Sequence, residues 1–201
     1  RAVINRMGLN SDGAEAVARR VAARRRRDRI LGVNLASNTE SADAAADFAL
    51  LVERFAPIAD FLTLDISCPN TRGGKQFLEP RPLGALLQRL GAIPARAKTK
   101  LLVKLSPDLE GERITTLVEV ALAEGVDGLV ATNTTLTRPA GLHGAARHES
   151  GGLSGRPLFE RSTEVLRQVY RQTRGRVPLI GAGGVASGAD AYAKLRAGAS
   201  L

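Results

Sequence analysis

Two side chains in this sequence combine reactivity with a position that would expose it. Cys68, the only cysteine, follows the run DFLTLDIS (60–67) and stands directly before Pro69. A free thiol ionises near pH ~8.5, within reach of physiological pH, so it can act as a nucleophile or take a proton. Neither His143 nor His148 has the spacing that would pair it with Cys68, so a Cys–His hydrolase is unsupported and a cysteine general base is the sharper reading. The bland reading is a small buried hydrophobe. Lys104 lies near the end of the apolar run KLLVKLS (100–106). An ammonium there is costly to bury unless it meets an anion. Either it faces charge developing in a site, or it pairs with Asp108 or another neighbouring acid. Cys, His and carboxylates show no metal-ligand spacing, so no metal is expected.

Softer signals surround these two. Asn5, Asn34, Asn70 and Asn133 fall near strand ends or in the turns that follow. Asn is common in turns, yet four amides on one rim suit a planar ligand rich in donors and acceptors. The segment VPLIGAGGVASGADA (177–191) reads as strand, glycine turn and helix start. Gly181, Gly183 and Gly184 would let backbone N–H groups approach a phosphate at a helix N-terminus. GGLSGRPL (151–158) reads as a second glycine-rich turn opening a helix.

The elements that must carry these residues repeat. Short apolar runs at 30–36, 60–67, 100–106, 128–133 and 178–184 predict parallel strands buried on both faces. AVIN (2–5) is a further strand end or loop. Between them Phe48, Leu51, Val52 and Phe55 predict a helix with Ser41 as N-cap, and Ile114, Leu117, Val118 and Ala121 predict another. A third is expected from about Pro157 to Gly175, and a last one capped by Ser187 and closed near Gly198. Such alternation leaves an open doubly wound sheet or a closed (β/α)8 barrel. Polar residues gather at the C-terminal ends of the strands, with nothing comparable expected at the opposite ends. The glycine-rich turn follows the last strand, which favours the barrel.

Composition narrows the function. At 201 residues and 44% hydrophobic, with no linker-like stretch, the chain reads as one domain over 1–201. It has no apolar run of the ~18 residues that span a bilayer, so the segment is expected to be soluble. One cysteine fits a reducing, cytoplasmic compartment. The net charge of +9 comes from 29 basic against 20 acidic residues. Its densest run, Arg24 to Arg27, ends a helical pattern and reads as a solvated face. Two Tyr and five Phe are few for base stacking, so no nucleic-acid partner is expected.

Seven motifs occur in the order found in dihydroorotate dehydrogenases. They are NRMGLN (5–10), GVNLASN (32–38), DISCPNT (65–71), VKLSPDL (103–109), GLVATNTTLTRP (128–139), GGLSGRPL (151–158) and PLIGAGGV (178–185). The chain resembles the quinone-dependent, membrane-associated class most closely. That resemblance implies an incomplete (β/α)8 TIM barrel, with the first two strands and the eighth outside these residues. It also implies FMN as cofactor and oxidation of dihydroorotate to orotate in pyrimidine synthesis, with quinone as electron acceptor in the full-length protein. By the same resemblance, Cys68 stands at the position of the base that removes the C5 proton as hydride leaves C6 for flavin N5. Lys104 would face the flavin pyrimidine edge. Asn34, Asp65, Thr132, Gly155, Gly183 and Gly184 match cofactor contacts. Asn5, Arg6, Met7, Gly8, Leu9, Asp65, Asn70, Asn133 and Thr134 match substrate contacts. The implied location is peripheral, on the cytoplasmic face of the inner membrane, through a segment outside these residues.

The chain departs from the family's pattern at two positions. Cys68 stands where the quinone-dependent class usually has Ser, and Asp65 where the family usually has Asn. A carboxylate accepts but cannot donate, would repel a substrate carboxylate, and would raise the pKa of a neighbouring thiol. Two alternatives therefore stand beside the main expectation. One is another FMN barrel, either a soluble-class dihydroorotate dehydrogenase or a related pyrimidine reductase. The other is a non-enzymatic basic module binding anionic surfaces through Arg24 to Arg27, with strongly salt-dependent binding and no flavin.

Overall fold

A computed structural model describes residues 1–24, 28–67 and 74–201. The apolar runs form a five-stranded parallel sheet of β2 (Gly32–Leu35), β3 (Phe61–Leu64), β4 (Lys100–Leu105), β5 (Gly128–Ala131) and β7 (Leu179–Gly181). Its order is β2-β3-β4-β5-β7. Each strand lies beside the next parallel strand in sequence, with no reversal. A doubly wound sheet reverses its order at a switch point, whereas a barrel does not. The sheet is therefore barrel-like, with five of a closed barrel's eight strands. After the last helix Ser200 N donates to Leu179 O at 2.7 Å and Gly181 N to Leu201 O at 2.8 Å, so the chain returns alongside β7.

Helices α1 (Ala14–Ala22), α2 (Ala44–Phe55), α3 (Pro80–Gly91), α4 (Glu112–Ala123), α5 (Phe159–Thr173) and α6 (Gly188–Arg196) complete the βα units. Their apolar stripes face the sheet: Phe48, Val52 and Phe55 of α2, and Ile114, Leu117 and Val118 of α4, are buried against Leu62, Leu64, Val103 and Leu105. Phe48 meets Phe77 edge to face, with ring centroids 5.7 Å apart. Burying each such aromatic or aliphatic side chain contributes about 1.5–3 kcal/mol, which holds the helix layer on the sheet.

Four expectations about the elements need correction. The N-cap of α2 is Asp43, not Ser41: the Asp43 carboxylate accepts from Ala46 N at 2.9 Å, a donor that Ser41 lies too far upstream to reach. The helix expected from Pro157 begins at Phe159, after a 3-10 turn over Arg156–Leu158. GGLSGRPL opens with a strand, β6 (Gly152–Gly155), that pairs antiparallel with β1 (Ala2–Asn5). Lacking a distinctive pattern of its own, β6 is decided by a partner almost 150 residues away. Finally, the N-terminal rim of the sheet is not bare. Asp127 accepts from Arg96 at 2.7 Å, Lys100 at 2.9 Å and Leu101 N at 2.9 Å. Burial raises the Asp127 pKa, but these donors outweigh it and hold the group below the ordinary carboxylate range. In a barrel, that rim serves stability.

Candidate active site

The C-terminal ends of β2 to β5 converge on one carboxylate. Asp65 follows β3 directly, and its N–H donates to Leu35 O at 2.8 Å, which pins it against the end of β2. Its Oδ1 accepts from Asn133 Nδ2 at 2.8 Å. Its Oδ2 accepts from Lys104 Nζ at 3.2 Å and, at 3.5 Å, from Asn34 Nδ2. Lys104 is carried by β4 and Asn34 by β2. Asn133, two residues beyond β5, is fixed by its N–H to Leu105 O at 2.9 Å. Four strands thus deliver one anion, one cation and two amides to a common point.

The cluster answers two questions raised by the residue types. The anion that compensates Lys104 is Asp65, not Asp108. Asp108 instead holds the loop after β5, accepting from the Thr135 hydroxyl, from Leu136 N at 2.9 Å and from Thr137 Oγ1 at 3.4 Å. Asp65 is in turn compensated within the described residues. Asn133 commits both amide hydrogens, to Asp65 and to Ser67 Oγ at 3.1 Å, while its Oδ1 accepts from Thr134 N at 2.8 Å. It therefore buttresses Asp65 as well as lining the rim. Asn34, exposed and more loosely bonded, has the freer amide.

A second cluster lies at β7. Thr132 is buried and joins the two clusters: its N–H donates to Ala182 O at 2.9 Å, and Ala182 N donates to Ala131 O at 2.7 Å. Gly183 and Gly184 have φ of 110° and 74°. A Cβ on Gly184 would stand 2.6 Å from Phe159 N, so only glycine lets this turn approach the start of α5 so closely. Gly155, with φ 85°, precedes that start. The two glycine-rich segments are thus brought together at the adjoining N-termini of α5 and α6.

Asn5 to Leu9 arrive by a different route. Asn5 pairs with Gly152 in the β1–β6 ladder, and a Cβ on Gly152 would stand 2.2 Å from Thr134 Oγ1. The ladder is also tied to Thr135, which exchanges two backbone hydrogen bonds with Leu153 at 3.1 and 2.7 Å. Asn5 therefore lies across from Thr134, beside the end of β5. Arg6 turns outward to Glu149 at 2.7 Å, Met7 and Gly8 are exposed, and Leu9 lies with Val33 and Asn34 in one concavity. Cys68 and Asn70 lie outside the described residues, as does most of the Arg24 to Arg27 run. Arg24 itself is 3.7 Å from Asp60.

Several site residues carried no signal in the sequence. Ser67 bridges Asn133 and Lys104 O. Arg138 donates to Glu149 O and Gly151 O, both at 2.7 Å, and so holds the loop that leads into β6. Ser162 and Lys194 lie beneath the glycine turns. A lysine on a mixed helical pattern is indistinguishable from a surface lysine until the packing is known. Among the described residues, no group of three or more His, Cys, Asp and Glu could hold a metal ion.

Fold and site together define a β/α-barrel protein whose strand ends gather one carboxylate, one ammonium and two amides beside a tight glycine turn. The dihydroorotate dehydrogenase family profile matches residues 1–201, and the chain belongs to that family. It is 47% identical over 201 residues to a dihydroorotate dehydrogenase (quinone) of Parvibaculum lavamentivorans, covering 100% of this chain and 58% of the relative. It is 46% identical over 212 residues to the mitochondrial dihydroorotate dehydrogenase (quinone) of Mus musculus, covering 53% of that protein. A crystal structure of DHODH from Eimeria tenella in complex with ferulenol superposes with a TM-score of 0.92 at 35% identity. The match covers all of this chain and 60% of that one. The ligand-free Eimeria enzyme gives the same score at 36% identity, with 62% of its chain covered. The chain thus spans little more than half the length of these relatives, and its five strands are an arc of the (β/α)8 barrel.

Proposed function

We propose that this chain is the single FMN-binding barrel unit of an enzyme that oxidises dihydroorotate to orotate in pyrimidine synthesis and passes the electrons to quinone. The observation that carries this reading is the convergence of Asn34, Asp65, Lys104 and Asn133 on one rim, next to a glycine cradle. The residues fit the flavin. Lys104 and the Asn34 amide present donors to the carbonyl edge of a planar ring, and Asp65 presents an acceptor to a ring N–H. Thr132 bonds Ala182 next to Gly183 and Gly184, and Gly184 packs against the start of α5, which Gly155 precedes; a helix N-terminus favours a phosphate. Bound FMN would supply the hydride acceptor for substrate C6.

The remaining work falls to the chain's own side chains. Cys68, as thiolate, takes the C5 proton of the substrate. Lys104 places positive charge where negative charge develops. Asn5 to Leu9, with Asn70, Asn133 and Thr134, orient the substrate ring. Quinone would meet the enzyme through a segment outside these residues, at the cytoplasmic face of the inner membrane. Among the described residues, no helix is long and apolar enough to cross a membrane.

The decisive experiment is the visible absorption spectrum of the full-length protein before and after anaerobic dihydroorotate. A flavin spectrum that bleaches is expected. A flavin spectrum that persists would move the substrate to another cyclic compound. A protein that is colourless and takes up no added FMN would remove the reading. Asp65 and Cys68 favour one alternative, a soluble-class enzyme or a related pyrimidine reductase. Comparing quinone, fumarate and NAD as electron acceptors separates them.

Asp65→Asn is expected to tighten orotate binding about tenfold, because it removes a negative charge facing the substrate carboxylate and frees Lys104. It also leaves an amide N–H facing one of the donors that Asp65 now satisfies, and lowers stability by about 1–3 kcal/mol. Orotate titration and denaturant unfolding of the same variant check both. Unchanged or weaker orotate binding would argue that Asp65 does not face the substrate.

A further inference from the structure

Lys194 is buried among the bases of the two glycine turns, 2% exposed, although it belongs to a helix whose neighbouring residues are largely open. Helical side chains lean toward the helix N-terminus, and a lysine stem is long enough to carry its ammonium back by about one turn. Lys194 Nζ accordingly reaches Ser162 Oγ at 2.6 Å, in the first turn of α5, and stands 5.2 Å from the Phe159 ring centroid. Ser162 is itself fully buried, and its hydroxyl hydrogen serves Gly183 O or Phe159 O, both at 3.0 Å. A cation, a serine and the carbonyl of the phosphate-type turn are thus linked in series.

The electrostatics of this position are unfavourable as they stand. The N-termini of α5 and α6 adjoin here, and each carries partial positive charge. Arg167, the other charged group acting on Lys194, is also positive. Among the described residues, no carboxylate lies within ion-pair distance of the ammonium. Burial, and then Arg167, push its pKa from 10.5 down to about 8. Between those values the unfolded chain holds the extra proton, so stability rises with pH across that window and the charge is a burden below it. A buried cation kept at such a place wants an anion from outside the described residues.

We propose that Lys194 is a positioning residue for a phosphate monoester: through Ser162 it braces the Gly183 turn, and its charge is balanced when the phosphate of a flavin mononucleotide binds at Gly183 and Gly184. The proposal rests on the flavin reading above and adds a residue that does not line the ring site. The phosphate brings in the counter-charge, so the part of the ligand that it balances is the phosphate alone and not the isoalloxazine ring.

The test measures dissociation constants of FMN and of riboflavin, which lacks the phosphate, for the full-length apoprotein and its Lys194→Met variant. Melting of both apoproteins is followed alongside. Lys194→Met is expected to bind FMN about tenfold more weakly or worse, to bind riboflavin as wild type does, and to melt no lower as apoprotein. If FMN and riboflavin weaken equally, or if the apoprotein melts well below wild type, Lys194 is a structural residue and the proposal falls. Should the variant not fold, the wild type decides. Its preference for FMN over riboflavin is expected to fall by up to about tenfold per pH unit above pH 8, as Lys194 loses its proton. A constant preference overturns the proposal. A wild-type protein that binds neither flavin overturns both this proposal and the functional reading, whereas FMN binding with an indifferent Lys194 overturns this one alone.

Discussion

Lys104→Met in the full-length enzyme is expected to slow flavin reduction by dihydroorotate about 100- to 1,000-fold, the loss typical when one preorganised group that stabilises transition-state charge is removed. The side chain is part-buried and faces the rim, so solvent supplies little replacement. The same substitution has a second consequence. Asp65 is 8% exposed, and Lys104 is the one cation paired with it among the described residues. Removing one member of such a pair costs about 3 kcal/mol, because the other charge stays buried and uncompensated. Two readouts therefore move together in the single variant and separate in the double one. Lys104→Met combined with Asp65→Asn is expected to regain most of the stability and none of the rate. Stopped-flow reduction under anaerobic conditions and denaturant unfolding check these outcomes. A Lys104→Met enzyme that reduces its flavin at wild-type rate would show that the ion pair is only structural.

Cys68→Ala is expected to lower turnover about 100- to 10,000-fold while FMN stays bound, because it deletes the group proposed to take the C5 proton. The backbone leading to Cys68 is well fixed. Ser67 is buried, and its hydroxyl bonds Lys104 O at 3.2 Å while accepting from Asn133. Cys68 follows Ser67 directly in the chain and itself lies outside the described residues. In the wild type the rate of flavin reduction should rise with pH toward a plateau above ~8.5, the ordinary thiol value. Cys68→Ser should abolish the ionisation, because an alcohol does not titrate in this range. A pH–rate profile of the wild type without an inflection there, or an unimpaired Cys68→Ala, would remove Cys68 as the base.

Much of the fold was legible because its strands are buried on both faces. Runs such as LLV (101–103) and GLVA (128–131) are short, continuously apolar and flanked by polar or glycine turns, which suits a covered parallel sheet, and their helices declare themselves by apolar spacing. The Ser187 cap was legible for the same reason: a short polar side chain before a helix accepts locally, from Asp190 N at 3.1 Å. β6 was not, because glycines encode permission and not preference. Whether 152–155 turns or extends was decided by β1.

The site divides along the same line. By itself the sequence determined which reactive residues exist, that they fall at strand ends, and that their order matches a flavin-dehydrogenase family. Only the tertiary structure decided that Lys104 pairs with Asp65 and not with Asp108, that Asn133 holds the carboxylate, and that Lys194 is buried beneath the glycine turns. The physical reason is one of range. Hydrophobic periodicity and capping act over a few residues and are written locally, whereas the partner of a charge is set by which strand ends come to lie side by side. Asp65 and Lys104 are 39 positions apart in the chain, and Lys194 and Ser162 are 32. No local pattern encodes those distances; the side-by-side packing of successive βα units does.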